Sequence, residues 1–321
     1  MSELAKVLHL PSDRRVAGTG PAGVGAPRTD PVDGSAVGTG QDHGWADHVS
    51  RALAFLRRRA LGDYQIDEFG FDPELTDTVL MPALRPAYRQ WFRVSVHGIE
   101  NVPAEGAALI VGNHAGMIGL DAAMVQLALL DEHSAHRHLR VLGGESVFDL
   151  PFVGTVARRS GATLACAEDA ERLLRAGELV GAWPEGYRGT GKPYSQRYRL
   201  QRFGRGGFVS AALRTGAPII PCSIVGSEEI YPMVGNAKVL ARLLGLPFFP
   251  ITPTFPWLGV LGAVPLPSKW FIEFGEPIGT AEHGDADAED SMLVFEITDR
   301  VREAIQHNLY RLLVHRRGIF G

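Results

Sequence analysis

The chain has 321 residues, of which 45% are hydrophobic and 21% charged, proportions that suit one large buried core and exclude a fibrous or wholly disordered chain. A formal net charge of −4 gives no global reason to expect nucleic acid as a partner. The two cysteines, Cys166 and Cys222, lie far apart with no C-x-x-C pair or His-rich neighbour, which argues against a disulfide scaffold or a zinc site and fits a reducing cytoplasm.

Residues 1–44 are expected to form a disordered tail, since Pro11 to Gly44 is rich in Gly and Pro and lacks apolar periodicity. No signal peptide is expected, because Val7 to Leu10 is too short for an apolar region and Asp13-Arg14-Arg15 follows closely. Gly18-Thr-Gly20-Pro-Ala-Gly23 matches the dinucleotide fingerprint in letters, but Asp13-Arg14-Arg15 precedes it and Val24-Gly-Ala-Pro27 follows. That fingerprint needs a strand before it and a helix after it, so the segment reads as linker and not as a nucleotide-dependent oxidoreductase site.

Residues 45–91 read as an amphipathic helical segment. In Trp45–Leu61, Val49, Leu53, Leu56 and Ala60 line one side and Arg57, Arg58 and Arg59 crowd the C-terminal end, where cations suit the helix dipole. In Phe71–Phe92 the apolar residues Leu75, Val79, Leu80, Leu84, Tyr88 and Trp91 recur, while Pro82 and Pro86 predict a break or kink. Two readings stand for each helix, packing on the core or lying in a membrane interface.

From residue 92 to about 280, short β-rich runs alternate with helical patterns, which predicts an α/β fold with a mostly parallel mixed sheet flanked by helices. The strands are expected near 92–97, 107–112, 139–144, 179–183, 219–225 and 271–274, with helices near 121–131, 152–160, 169–176 and 207–215. Leu243 to Ser268 is uncharged but carries Pro247, Pro250, Pro253, Pro256, Pro265 and Pro267, so it cannot be a spanning helix. Prolines at every third residue have the polyproline II period. The stretch reads either as an extended segment packed over the sheet or as a membrane-dipping lid or a wall of a binding site. In residues 281–321, Ile297, Val301, Ile305, Leu309 and Leu312 predict a C-terminal helix packed on the domain and ending at His315-Arg316-Arg317.

Two clusters carry chemistry. The apolar run Ala107–Gly112 leads into Asn113-His114, a Gly-containing loop, and Asp121 at a helix start. Strand ends are where α/β folds place their sites, and a histidine there can accept a proton from a hydroxyl while a carboxylate orients it. A helix-capping aspartate beside a loop histidine is the alternative. The second cluster, Ala182-Trp183-Pro184-Glu185-Gly186-Tyr187-Arg188, lies just past another apolar run and leads into a stretch with Arg188, Lys192, Arg197, Arg199, Arg202, Arg205 and Arg214 against one acid, Glu185. Arg188 offers a planar fork suited to phosphate. The stretch as a whole reads as a solvated surface loop, which the interleaved Tyr187, Tyr194, Tyr198, Phe203 and Phe208 make less convincing, or as a nucleic-acid patch, for which no binding motif is present.

In this order, Arg93–Pro103, Asn113-His114…Asp121, Gly143–Gly154 with Gly161, Pro184–Arg188 and Ala217-Pro218-Ile-Ile-Pro221 resemble the glycerolipid acyltransferase superfamily, which includes lysophosphatidate and glycerol-3-phosphate acyltransferases. The resemblance implies transfer of a fatty acyl group from acyl-coenzyme A or acyl carrier protein, as cosubstrate, to a lipid hydroxyl. It implies His114 as general base with Asp121 as its partner, and Asn113, Glu185, Gly186, Arg188, Lys192 and Pro221 as substrate-binding residues. No cofactor, metal or nucleic acid is expected, and the expected location is cytoplasmic, peripheral on the inner face of a membrane. The family's usual first motif sets its Asp where Gly119 stands here, whereas six residues separate His114 from Asp121. Asp149 and Glu145 are the fallback carboxylates, and a catalytically inactive lipid-binding protein of the same fold is the alternative. The proline-punctuated tail resembles a branch that acylates diacylglycerol-like alcohols, while Arg188 and the basic run favour an anionic acceptor.

Overall fold

A computed structural model describes residues 43–116, 119–204 and 206–320. The expected tail up to residue 42, with the Gly18–Gly23 segment, lies outside the described residues. Contacts divide the chain into two units after Leu61, a boundary that falls within the expected 45–91 helical segment. In the first unit the helix His43–Leu61 ends in Arg58 and Arg59, and the Arg59 guanidinium stands 4.9 Å from the Phe55 ring centroid.

In the second unit the described strands are β1 Ser95–His97, β2 Ala108–Gly112, β3 Leu139–Gly143, β4 Thr163–Leu164, β5 Leu179–Ala182, β6 Ile219–Val225, β7 Gly235–Asn236, β8 Pro250–Ile251 and β9 Phe271–Phe274. Seven of them form one sheet in the order β1-β9-β6-β2-β5-β3-β4. Its pairings are parallel except β6 with β9. The expected mostly parallel mixed sheet is therefore present. The central strands are buried along their whole length, as parallel strands covered on both faces must be.

Alternation along each strand sorts the core into two layers. Leu109 and Val111 of β2 and Ile219 of β6 point to the side covered by the helices Ala167–Arg175, Gly207–Thr215 and Ser291–His315, where Leu173, Val209, Leu213, Val301 and Ile305 are buried. Ile110 of β2 and Ile220, Cys222 and Ile224 of β6 point to the other side, against Met124 and Leu127 of the helix Leu120–Glu132 and against Met81 and Tyr88. Each such side chain contributes roughly 1.5–3 kcal/mol through burial.

Residues 73–91 neither break nor stop at the prolines. A turn of α-helix, Met81–Pro86, is flanked by two π-helical turns, Thr76–Leu80 and Ala87–Trp91. Pro82 and Pro86 lack the N–H that an α-helix needs, and the wider turns re-register the ladder, with Met81 N–H donating to Thr76 O and Phe92 N–H to Ala87 O. Arg85 and Arg89 both reach Asp131 on the Leu120–Glu132 helix, tying this segment to the α/β unit.

The proline-rich stretch also departs from the extended reading. β7 and β8 pair as a two-stranded antiparallel ribbon around the short helix Lys238–Leu243, and Gly259–Ala263 forms a 3-10 helix. Thr252 Oγ1 accepts from Phe255 N–H at 2.8 Å, a local bond that turns the chain where a polyproline helix would run straight. No described helix is long and apolar enough to cross a membrane.

Candidate active site

β2 and β5 run side by side in parallel, with Val111 opposite Ala182. His114 and Glu185 each follow three residues later, so both emerge at the same level above the C-terminal edge of the sheet. On the far side of β2, the Asn113 side chain is fully buried. Its amide nitrogen donates to Ile224 O at 2.9 Å and its oxygen accepts from Ile224 N–H at 2.7 Å. Asn113 thus extends the β2–β6 pairing and fixes the backbone from which His114 projects.

The loop after His114 bends back through Gly116 and Gly119, at φ 77° and 63°, a left-handed region that disfavours side-chain-bearing residues. It delivers Asp121 to the first turn of its helix, where a carboxylate suits the dipole. One Asp121 oxygen lies 2.6 Å from His114 Nδ1 and 2.9 Å from Ala115 N, while the other accepts from Ala122 N–H at 2.9 Å. A carboxylate only accepts, so Nδ1 carries the proton and the lone pair of the neutral ring sits on Nε2. Nε2 makes no hydrogen bond to the described residues, and the imidazole keeps 20% of its surface exposed while Asp121 is fully buried. Burial works to lower the His114 pKa, but the charge and hydrogen bond of Asp121, joined by the charge of Glu185, raise it above its ordinary 6.5.

Glu185 faces inward. Its two oxygens accept from the backbone N–H of His114, at 2.9 Å, and of Gln201, at 2.6 Å. Lys192 Nζ lies 3.6 Å from Glu185 and 2.8 Å from Glu228, and Glu228 also accepts from Tyr198 N–H at 2.9 Å. All three charged side chains are at least 95% buried. Burial pushes the Glu228 carboxyl up to about 7 against the opposing charge of Lys192. Glu185 and Lys192 are therefore held in a network beneath the site and are not presented to solvent.

Gly186, at φ 52° and ψ −139°, turns the chain into the short helix Tyr187–Thr190, which leaves Arg188 exposed. Gly189 packs so closely on the histidine that an added Cβ would stand 2.7 Å from His114 O and 2.8 Å from Glu185 Cβ. Pro221 is buried within β6 opposite Val111, and its carbonyl accepts from Gly275 N–H. It is set back from this cluster, inside the sheet. The fallback carboxylates Glu145 and Asp149 sit exposed on the short helix after β3. No sequence expectation covered Glu228, and Trp183 stood in the second cluster without a role. The pair Glu228-Glu229 just past an apolar strand was the available signal for the first. Trp183 lies with its ring centroid 6.3 Å from that of His114, and its indole covers Gly112 where a Cβ would not fit.

Residues 93–225 match the family described as Acyltransferase. A protein of Mycobacterium tuberculosis (strain ATCC 25618 / H37Rv), itself called uncharacterized, is 60% identical over 275 residues, covering 86% of this chain and 77% of the relative. The chain belongs to the acyltransferase superfamily. Within that superfamily it is similar to the human "DGAT1/2-independent enzyme synthesizing storage lipids", at 27% identity over 59% of this chain and 54% of that relative. Among solved structures, the 1-acyl-sn-glycerophosphate (LPA) acyltransferase PlsC of Thermotoga maritima shares the acyltransferase fold, with a TM-score of 0.52 at 18% identity over 84% of this chain and 91% of that one.

Proposed function

We propose that this acyltransferase moves a fatty acyl group from a thioester, acyl-coenzyme A or acyl carrier protein, to a glycerolipid hydroxyl at the inner face of a membrane. The observation that carries the reading is the 2.6 Å contact between His114 Nδ1 and Asp121, with Nε2 left to meet an acceptor. Nε2 removes the hydroxyl proton as the oxygen attacks the thioester carbonyl. Asp121 offsets the imidazolium charge. The tetrahedral adduct then collapses, the C–S bond breaks, and the proton on Nε2 passes to the departing sulfur. No acyl-enzyme is required, because the thioester is already activated and needs only a positioned, deprotonated nucleophile.

Glu185 acts here through the His114 backbone, and Lys192 acts through Glu185 and Glu228. Arg188 is the exposed cation of the motif and is assigned to an anionic group, a donor phosphate or an acceptor phosphate. Similarity to the storage-lipid enzyme supports an uncharged diacylglycerol-like acceptor, and similarity to the lysophosphatidate enzyme supports a phosphorylated one. The closed His114–Asp121 contact counts against an inactive lipid-binding protein.

The test is release of free thiol from acyl-coenzyme A and acyl carrier protein, with lipid products identified by mass spectrometry. The acceptors are glycerol 3-phosphate, lysophosphatidate and diacylglycerol. His114→Ala is expected to abolish both thiol release and product. Thiol release unchanged by that substitution overturns the assignment.

A further inference from the structure

Tyr231 to Leu266 leaves the body of the α/β unit as one closed excursion. Tyr231 donates its hydroxyl hydrogen to Ala263 O, and Leu266 N–H donates to Ile230 O at 3.0 Å, so the two ends meet. The β7–β8 ribbon, the contact of the Phe249 and Phe255 rings at 5.5 Å, and the Thr252 turn stiffen it between those ends. Met233 and Ala241 are buried and Phe248, Phe249 and Phe255 half-buried, but other apolar side chains of the excursion stay outside any core. Val239, Leu243 and Leu244 around the short helix, and Trp257, Val260 and Leu261 around the 3-10 turn, are each between 54% and 90% exposed. Scattered apolar residues on a surface need no explanation, but two such groups on one stiffened excursion mark an interaction surface.

The charge pattern selects the partner. The excursion carries two cations, Lys238 and Arg242, both exposed, and no acid, and the chain from Ile230 to Ile272 contains no carboxylate side chain at all. Basic residues beside exposed Leu, Val and Trp fit a lipid–water interface, where apolar groups enter the acyl region and cations meet anionic headgroups. A protein partner or a second copy of this chain gives no reason for excluding acids across the whole stretch.

The excursion is also fastened to the two loops that build the site. The Phe248 ring packs on Gly191, where an added Cβ would stand 2.9 Å away, and Tyr194 N–H donates to Met233 O at 2.9 Å. Ile230, at its base, packs on Gly116 of the His114 loop. We propose that the excursion Tyr231–Leu266 is the surface by which this protein docks on an anionic lipid bilayer, bringing the His114 loop to the headgroup level. Its value to catalysis rests on the acyltransferase reading, but the docking itself does not.

The experiment uses the full chain with vesicles of phosphatidylcholine, with and without phosphatidylglycerol. The variants are Val239→Glu/Leu243→Glu and Val260→Glu/Leu261→Glu, with melting curves to verify folding. Wild type and His114→Ala are expected to sediment equally with the anionic vesicles, and each double variant is expected to lose about tenfold in binding. Vesicles with brominated acyl chains are expected to quench wild-type fluorescence, and Trp257→Phe is expected to remove most of that quenching, a readout that stands even where a Glu variant fails to fold. Vesicle binding unchanged in both double variants, or quenching unchanged in Trp257→Phe, overturns the proposal. So does a dimer in wild type that the double variants split while vesicle binding stays as it was. Loss of turnover in His114→Ala with vesicle binding intact separates the catalytic reading from the docking surface. A wild type that binds vesicles but transfers no acyl group sinks the former alone.

Discussion

His114 Nδ1 and the Asp121 carboxylate meet at 2.6 Å although six residues separate them, because Gly116 and Gly119 let the intervening loop fold back on itself. The pair is held from three directions. Asn113 fixes the strand end, Glu185 accepts from the His114 N–H, and Asp121 accepts from Ala115 and Ala122 in addition to the imidazole.

The pH profile follows from this pair. A base must be neutral, and His114 titrates above 6.5, so kcat/KM is expected to rise with pH through a midpoint above that value. Asp121→Asn removes the charge that raises the pKa, so the midpoint should move down while kcat falls about 100-fold or more. For stability the sign is opposite in pH. The folded-state pKa is raised, so the pair's contribution is full below about 6.5 and is lost as pH rises through the folded value. Rate and denaturation profiles of wild type and Asp121→Asn measure both.

The buried Glu185–Lys192–Glu228 network gives a second expectation. Removing its cation by Lys192→Met leaves two buried carboxylates without a counter-charge and should cost about 3–5 kcal/mol. Adding Glu228→Gln should recover part of that loss, which urea denaturation of the double-mutant cycle measures.

Glu228 alone should show in the pH dependence of stability. Its folded pKa is raised from 4.5 to about 7, so the folded state binds the proton more tightly and stability falls as pH rises between these values. Glu228→Gln is expected to remove that slope, read from melting temperature against pH.

Close packing at Gly189 is open to a steric test. A methyl group there meets His114 O and Glu185 Cβ, so Gly189→Ala is expected to lower kcat at least tenfold by shifting the histidine, about 1.4 kcal/mol in barrier. Gly207, at the start of a helix, has nothing within 4 Å of an added Cβ, and Gly207→Ala should leave activity unchanged. Steady-state kinetics of the two variants decides it.

Arg188 is exposed, so Arg188→Ala should change stability by less than about 0.5 kcal/mol. It should raise KM for whichever substrate offers the phosphate. A KM rise with phosphorylated acceptors only, against a rise with acyl-coenzyme A for every acceptor, tells which anion it meets.

The sheet was legible in the sequence because its longer strands are short, mostly apolar runs. The expected β6 and β9 match the observed ones residue for residue, and β2, β3 and β5 end within a residue of expectation. β4, β7 and β8 are two-residue strands whose pairing comes from their neighbours, and no local pattern announces them. Of the break or kink expected at Pro82 and Pro86, no break occurs, because packing and the Arg85–Asp131 pair hold the segment helical through π turns.

By itself, the sequence determined the order of the apolar strands and the chemical identity of the groups at their ends, His114, Asp121, Glu185 and Arg188. Those follow from composition and spacing along the chain. Which groups face which was decided only by the tertiary structure. The parallel register of β2 and β5 sets Glu185 beneath His114, and a two-glycine loop returns Asp121 to the imidazole. Burial then turns Glu185 and Lys192 inward to Glu228, leaving Arg188 at the surface, because a charge taken out of water must find its partner inside the protein.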